Sequence, residues 1–389
     1  MWRRIRTKKI LILGGGIGGL VASNLLSKRL GKKHEVVLVD KKDSYEFTPA
    51  FPWIMMEWRE PHQITRKLNL LEKKGVRYVN AEALKIDPAN RTVKTSNGDF
   101  GYDYLIVALG AELAPETIPG FSKGAHHVYS FEAATKLREA LKTFNGGTVA
   151  AGISSTPFKC PAAPYEVAFL MDYHFKKNGI RDRVDFHFFT PKALPMGVTG
   201  PKIGNMIKGM LENRGINYIP NIKLVSVDAG KRKITFENGE SINYDLLFAV
   251  PPHRAPKVVV DAELTDETGW ITVGMKTLKT KYDNLYAIGD VTRIRLPNGM
   301  MLPKAGVFAH GQAEVVARNI ISEIMGNGEE EWKGDGSCFI EVGFGKAAMA
   351  KGNFYTEPDP VVKIRWPRVS RIWHWYKVLF EKYWLGRWF

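Results

Sequence analysis

The chain has 389 residues, of which 44% are hydrophobic and 25% are charged, so it is neither fibrous nor intrinsically disordered and is long enough for two or three domains. Lysine and arginine number 56 against 40 acidic residues, and the net charge of +16 predicts an anionic partner such as nucleic acid, acidic lipid or a nucleotide. Two cysteines are too few for a secreted disulfide framework, and the basic N-terminus leads into a strand and turn, so we expect a cytoplasmic protein.

The first predicted element is a buried strand over residues 9–13, followed by a glycine-rich turn and a helix. Gly14 permits the tight turn, Gly16 lets the backbone approach a pyrophosphate, and Gly19 lets the helix pack closely on the strand. A second strand over residues 35–39 ends at Asp40, about twenty residues further on, where this fingerprint has an acceptor for a ribose hydroxyl. The start of the chain is therefore predicted to bind a dinucleotide.

Far downstream, a strand over residues 284–288 runs into Gly289 and Asp290. This pattern resembles the two-dinucleotide-domain flavoproteins, in which the aspartate binds the ribityl chain of FAD. The resemblance implies an α/β fold with two Rossmann-like dinucleotide-binding domains of the glutathione-reductase type, plus a C-terminal membrane-associating segment. It implies an FAD-binding domain at 1–110 and 245–325, a second Rossmann-like domain at 111–244 and a C-terminal region at 326–389.

The second domain is expected to lack a nicotinamide site. Its first strand, at residues 148–151, leads to a loop with one glycine, Gly152, and two prolines, Pro157 and Pro161. Proline and larger side chains prevent the close backbone approach that a pyrophosphate needs. The same loop carries Cys160, directly before a predicted helix whose dipole would lower the pKa of the thiol and favour the reactive thiolate.

The second cysteine, Cys338, lies in a predicted short strand and can meet Cys160 only through folding. Here the chain resembles the sulfide:quinone oxidoreductases, which are related to the flavoprotein subunit of flavocytochrome c sulfide dehydrogenase and to type II NADH dehydrogenases. The shared patterns are Cys160 with Glu166 six positions later, Cys338 with Phe339, and the segments at 44–50, 303–306 and 380–383.

The resemblance implies a chemistry for these residues. Sulfide attacks a disulfide of the two cysteines, one cysteine keeps the sulfur as a persulfide, and the other passes two electrons to FAD. Glu166 would accept a proton and Lys304 would stabilise negative charge on the reduced flavin. By the same resemblance Lys377 and Phe380 line the quinone ring, and Phe339 would lie on the quinone side of the flavin.

Less specific interpretations of these residues remain open at this point. The cysteines would also suit a purely structural disulfide, stabilising by about 5 kcal/mol, or two unrelated buried thiols. Glu166 would also suit a simple role in complementing the helix dipole. Family members often carry a third cysteine near residues 126–131, where this chain has Tyr129, and we expect the adjacent His126 and His127 at the surface.

The tail has apolar residues at 369, 372, 373, 376, 379, 380 and 383, which is helical spacing. Tryptophan and tyrosine beside four basic residues are typical of a helix in a lipid interface. Each basic residue near an anionic leaflet would add about 1 kcal/mol of binding. We therefore expect peripheral attachment at the cytoplasmic side of the cell membrane, through anionic lipid.

The sequence favours a sulfide:quinone oxidoreductase over four alternatives. These are a type II NADH:quinone oxidoreductase, a flavocytochrome c-type sulfide dehydrogenase flavoprotein, a flavin-bearing interaction protein without turnover, and a basic nucleic-acid binder. The missing second glycine motif argues against the first, and the membrane-type tail argues against the second. No zinc spacing or helix-turn-helix supports the last, so we expect no metal and no nucleic acid, and self-association stays open.

Overall fold

The structure, a computed structural model, describes residues 6–389, so the basic Arg3 and Arg4 lie outside the described part. One sheet has five parallel strands, in the order Leu285–Ala287, Tyr104–Val107, Lys9–Leu13, Glu35–Asp40 and Arg77–Asn80. Residues 10–13 of its central strand are completely buried, as is typical of a parallel sheet covered on both faces. The predicted strand before the glycine turn therefore lies at the middle of a core.

Helices Ile17–Leu30 and Gly306–Met325 pack against each other beside this sheet. Gly14 has a φ of +101°, in the left-handed region that favours glycine. A Cβ atom on Gly19 would lie 1.8 Å from the carbonyl oxygen of Gly14, so the start of the first helix packs directly on the turn. The two glycines therefore hold the helix N-terminus at the end of the central strand.

A second sheet has four parallel strands, in the order Ile216–Ile219, Val184–Phe189, Gly147–Ile153 and Leu246–Val250. Helices Ala163–Lys177 and Pro201–Glu212 pack on it, and helix Phe131–Thr143 packs on the short helix Phe51–Met55. The strand at 246–250 is hydrogen-bonded alongside residues 149–153, so the expected return to the first domain at residue 245 was placed too early.

Each parallel sheet has a three-stranded antiparallel companion. The first comprises Ala83–Asp87, Thr92–Thr95 and Gly98–Gly101, and the second comprises Leu224–Asp228, Lys233–Phe236 and Ser241–Asn243. The two connections between the halves pair with each other, as Glu112–Leu113 against His253–Arg254. This repeated arrangement confirms the predicted α/β fold with two Rossmann-like halves.

The C-terminal region is a third unit, made of the antiparallel strands Asp335–Gly343, Lys346–Asn353 and Val361–Ile364 and the helix Arg371–Trp388, here called the tail helix. The first of these strands packs against helices Ala163–Lys177 and Gly306–Met325, which belong to different halves. The remaining short elements are the strand pairs Ser44–Glu46 with Thr65–Lys67 and Ile271–Thr272 with Thr292–Arg293, and the helices Pro61–Ile64, Phe121–Gly124 and Lys257–Asp261.

Candidate active site

A cavity of about 390 Å³ opens where the first sheet ends at the glycine turn. Its walls include Gly14, Gly16, Asp40, Gly289 and Asp290, all of which the sequence predicts as cofactor-binding residues. Gly19 is not among the wall residues, because it is packed against the carbonyl oxygen of Gly14. The structure therefore brings the two distant signatures, at the start of the chain and near residue 290, to one elongated space.

The walls of this cavity fit FAD. A Cβ atom on Gly16 would meet nothing within 4 Å, so open space lies beside the helix N-terminus, where free N–H groups favour phosphate. Asp40 accepts hydrogen bonds from the backbone N–H groups of Gly15, at 2.5 Å, and Lys42, at 2.7 Å. Asp290 has a buried Oδ1 atom with no partner among the described residues, as expected if a hydroxyl of a bound cofactor donates to it.

Two lysines lie near Asp290 in different positions. Lys304 donates hydrogen bonds to the carbonyl oxygens of Asp290 and Thr292, at 2.8 and 2.9 Å, and its Nζ atom lies 3.4 Å from the centroid of the Trp270 ring. Burial lowers the pKa of Lys304 to about 7. Lys304 thus supports the backbone around Asp290, whereas Lys159, which the sequence did not single out, lines the large cavity. The position of Lys159 next to Cys160 in the sequence was the one signal that could have identified it.

The predicted cysteines converge from different domains. Cys160 lies in the loop after the strand Gly147–Ile153, and its backbone N–H donates to the carbonyl oxygen of Lys304, at 2.7 Å. Cys338 lies in the strand Asp335–Gly343, and its thiol donates to the carbonyl oxygen of Phe339, at 3.4 Å. Both are free thiols in this structure; burial raises the pKa of Cys338, and the charge of a nearby Cys160 thiolate adds to this.

The lowered pKa that the sequence predicts for Cys160 is not found. Cys160 as a residue is exposed, yet protein atoms surround its thiol closely, and this burial, with the negative charge of Glu166, raises its pKa to about 11. The helix begins at Ala163, three residues further on, so its dipole does not outweigh desolvation. A nearby base is therefore needed to produce a thiolate at neutral pH.

Glu166 is 5% exposed and accepts a hydrogen bond from the Nζ atom of Lys377, which is also 5% exposed. Burial raises the pKa of Glu166 to about 7, and the negative charge of the fully buried Glu341 acts in the same direction against the attraction of Lys377. The pKa of Lys377 is raised by the attraction of both carboxylates, which exceeds the effect of its burial. Lys377 therefore stays cationic while Glu166 exchanges a proton near neutral pH.

Phe380 and Phe339 are the other two residues that the sequence predicts to line the quinone ring. Phe380 packs on the rings of Phe47 and Trp384, with centroids 5.9 and 5.8 Å away, and is 37% exposed. Phe339 is half-buried in the strand next to Cys338. Lys377, by contrast, points into the protein towards Glu166 and also lies 4.8 Å from the centroid of the Trp53 ring.

The loop that would hold a nicotinamide cofactor packs against its own domain. A Cβ atom on Gly152 would lie 2.3 Å from the carbonyl oxygen of Phe189, so this glycine is explained by contact with the neighbouring strand. Near the same end of the second sheet, Tyr129 is buried, with its ring centroid 5.2 Å from that of His253. His126 and His127 are half-buried, not surface residues as expected, and burial lowers the pKa of His127 to about 4.

The tail helix buries two charged residues beside Trp384, Leu385 and Trp388, and it exposes much of its apolar surface. Its buried residues include Lys377 and Glu381, and Glu381 accepts hydrogen bonds from Arg59 at 2.8 and 3.0 Å. Five large apolar or aromatic residues on it are 52–64% exposed, namely Ile372, Trp375, Tyr376, Leu379 and Tyr383. Within residues 6–389, no helix is both long enough and apolar enough to cross a bilayer. The predicted apolar stripe therefore faces outward.

Comparison with known proteins gives concordant matches. The family described as pyridine nucleotide-disulphide oxidoreductase matches residues 8–313. The chain is 28% identical to the sulfide-quinone reductase of Aquifex aeolicus, covering 98% of this chain and 91% of that one, and 27% identical to the mitochondrial sulfide:quinone oxidoreductase of Mus musculus, covering 90% and 79%. The solved structure of sulfide:quinone oxidoreductase from Aquifex aeolicus superposes with a TM-score of 0.89 at 26% identity, covering 98% of this chain and 91% of that one.

Proposed function

Because the chain belongs to the pyridine nucleotide-disulphide oxidoreductase family, we propose that it is an FAD-containing sulfide:quinone oxidoreductase. One observation carries the proposal: two cysteines from different domains converge with the buried Glu166, close to the end of the cavity that fits FAD. A structural pair of thiols would not need a titratable carboxyl group beside it. The likeness to sulfide:quinone oxidoreductases over nearly the whole chain supports the same function.

The glycine turn and Asp40 would hold the nucleotide end of FAD, and Asp290 would hold its ribityl chain. Lys159 would place a positive charge along the same cavity, with Lys304 fixing the backbone behind it. Bound FAD would accept an electron pair from the sulfur side and deliver it to a quinone. The protein's own task is therefore to position two sulfur atoms and to move protons.

In the oxidised enzyme, a hydrosulfide ion would attack the disulfide between Cys160 and Cys338. One new sulfur–sulfur bond forms on the attacked cysteine, the bond between the cysteines breaks, and the other cysteine leaves as a thiolate. Glu166, with a pKa raised to about 7 by burial, is suited to accept the proton that sulfide brings. Which cysteine holds the persulfide stays open.

The tail helix supports a quinone acceptor and attachment to a membrane surface. Its exposed apolar side chains would lie in the lipid interface, with the exposed Arg371, Lys382 and Arg387 near anionic headgroups. A quinone would reach the protein from the lipid, with its ring near Lys377, Phe380 and Phe339. We place the enzyme at the cytoplasmic side of the cell membrane as a peripheral protein.

The test is to mix the FAD-loaded protein with sulfide in the absence of oxygen. Sulfide should bleach the flavin absorbance, and a soluble quinone should restore it. Cys160→Ser and Cys338→Ser should each abolish bleaching by sulfide while FAD stays bound. Bleaching by NADH but not by sulfide would instead assign a type II NADH:quinone oxidoreductase, and full bleaching in either serine variant would refute the role of the cysteines.

A further inference from the structure

We propose that Glu341 and His374 form a proton path that links the buried pair of Glu166 and Lys377 to solvent. The proposal rests on the proposed function, because it concerns the protons of sulfide oxidation and quinone reduction. It assigns roles to two residues that the sequence did not single out. The path would run from Glu166, past the cation of Lys377, to Glu341 and end at His374 in the wall of a second cavity.

The residues of the proposed path form two bonded pairs, Glu341 with His374 and Glu166 with Lys377. Glu341 is completely buried on the strand Asp335–Gly343, and the Nδ1 atom of His374 lies 2.9 and 3.1 Å from its two carboxylate oxygens. His374 is one helical turn before Lys377 on the tail helix, so both side chains face the same way. Lys377 in turn donates to Glu166. The charge of Glu341 acts on both Glu166 and Lys377, so the two bonded pairs lie close together.

The outer end of the proposed path, at His374, borders a cavity. A cavity of about 250 Å³ has walls formed by His374, Trp53, Trp58, Arg59, Tyr173 and Val378. The side chain of His374 is 20% exposed, whereas that of Glu341 is not exposed at all. His374 is thus the group of the path through which a proton can pass between water and Glu341, since imidazole can accept a proton on one nitrogen while donating from the other.

The charges along the proposed path favour a proton that moves between groups over permanently charged side chains. Two buried carboxylates, Glu166 and Glu341, lie near the ammonium group of Lys377, and burial together with the charge of Glu341 raises the pKa of Glu166. Arg59, which also lines the cavity, does not neutralise them, because its guanidinium group is bonded to Glu381. The raised pKa of Glu166, about 7, agrees with a proton that moves near neutral pH.

The remaining groups around the path do not replace His374. Glu166 also lies near the two cysteine thiols, and Tyr173 and the Glu381-bound Arg59 are the other titratable residues in the wall of the cavity. Oxidation of one hydrogen sulfide to bound sulfur releases two electrons and two protons, and reduction of one quinone to quinol consumes two of each. The path lets protons enter or leave Glu166 whenever these two half-reactions occur at different times.

The first test removes the outer group. His374→Ala should lower kcat by about 10²-fold without a matching rise in KM for sulfide, as expected for loss of one proton-transfer group. Added imidazole should restore turnover, because the substitution enlarges an existing cavity of about 250 Å³. The matched control is His187→Ala, which removes a histidine that is 19% exposed and also paired with a carboxylate, Asp185, but lies in the second sheet. It should keep full turnover.

A second readout does not depend on sulfide. FAD-loaded protein is photoreduced by a light pulse in weak buffer that contains a sacrificial electron donor, and an indicator dye reports how fast protons are taken up. Uptake should be slow in His374→Gln, which keeps a donor to Glu341 but cannot titrate, and fast in the wild type and in His187→Ala. If sulfide fails to bleach the wild-type flavin, the proposed function is lost while this measurement still tests the path.

Two results would overturn the path. The first is wild-type proton uptake and turnover in both His374 variants. The second is a folded His374→Ala protein with bound FAD whose lost turnover is not restored by imidazole at any concentration that leaves the wild type active. The latter result would assign His374 a purely structural contact with Glu341.

Discussion

The buried pair of Lys377 and Glu166 predicts a large and specific effect on stability. Lys377→Met leaves Glu166 buried without its ammonium partner, whereas Glu341 keeps its contact with His374. Breaking a buried ion pair by removing one partner costs about 3–5 kcal/mol, because the remaining charge has no compensation. Unfolding entropy of about 2.1 cal/mol/K per residue, over the 389 residues of the chain, is roughly 0.8 kcal/mol per kelvin.

Treating the protein as one cooperative unit, that free energy lowers the melting temperature of the Lys377→Met variant by about 4–6 °C. The assay is thermal unfolding of FAD-loaded protein, followed by circular dichroism at pH 6 and pH 8. Lys382→Met is the matched control, because Lys382 is on the same helix, is 58% exposed and lies 3.3 Å from Glu381. An exposed pair is worth about 1 kcal/mol or less, so this control should melt within about 1 °C of the wild type.

The effect should depend on pH in a defined direction. The pKa of Glu166 is raised in the folded state, so the native protein binds more protons than the unfolded chain between the ordinary value of 4.5 and about 7. Stability from this group is therefore greatest at low pH and falls as pH rises through that window. Losing the cation raises the pKa further, so Lys377→Met should lose more stability at pH 8 than at pH 6.

A second substitution separates charge from packing. Glu166→Gln in the Lys377→Met background removes the uncompensated carboxylate and should recover most of the lost melting temperature. The reasoning is refuted if Lys377→Met melts like Lys382→Met, if its loss is the same at both pH values, or if the double variant is less stable than Lys377→Met alone. Each of these results would mean that the pair is not an isolated buried charge cluster.

Three further predictions concern the cofactor and the membrane. Gly16→Val should fold but lose FAD, because the valine side chain fills space that the protein leaves open. Gly19→Val should fail to fold, because its side chain meets the carbonyl oxygen of Gly14. Flavin content and circular dichroism distinguish the two outcomes, and a Gly16→Val protein with full FAD would contradict the prediction. Lys159→Met should lower the flavin midpoint potential by about 30 mV, roughly 1.4 kcal/mol for two electrons, in a redox titration, and an unchanged potential would place its charge away from the flavin. Leu379→Glu should weaken sedimentation with anionic liposomes, while Leu84→Glu, at another exposed leucine, should not, and equal loss in both would argue against a docking face on the tail helix.

The fold was predictable because its signals are local. Glycine spacing and the strand that ends in Asp40 fix the first dinucleotide-binding unit, since only glycine tolerates both the φ of Gly14 and the contact at Gly19. The domain boundary predicted at residue 245 was wrong, because the buried apolar strand Leu246–Val250 has a composition that suits either parallel sheet. Strand composition carries no information on which neighbour a strand pairs with.

The site was predictable only where a motif named its residues. The convergence of Cys160 and Cys338 follows from family likeness, but the raised pKa of Cys160 depends on burial, which the sequence does not report. Glu341 and His374 lie in segments without a signature, and their pairing depends on a strand and a helix meeting in three dimensions. Lys159 was overlooked because a lysine in a loop reads as a solvated surface residue.

The tail helix carries both an exposed apolar surface and a buried cation. The same 18 residues that expose large apolar and aromatic side chains also supply the ammonium group that is paired with Glu166. Removal of this helix, by proteolysis or truncation, would take away the cation that pairs with Glu166 together with the exposed apolar surface. Under the proposed function, loss of membrane attachment and loss of activity would therefore occur together in a shortened form.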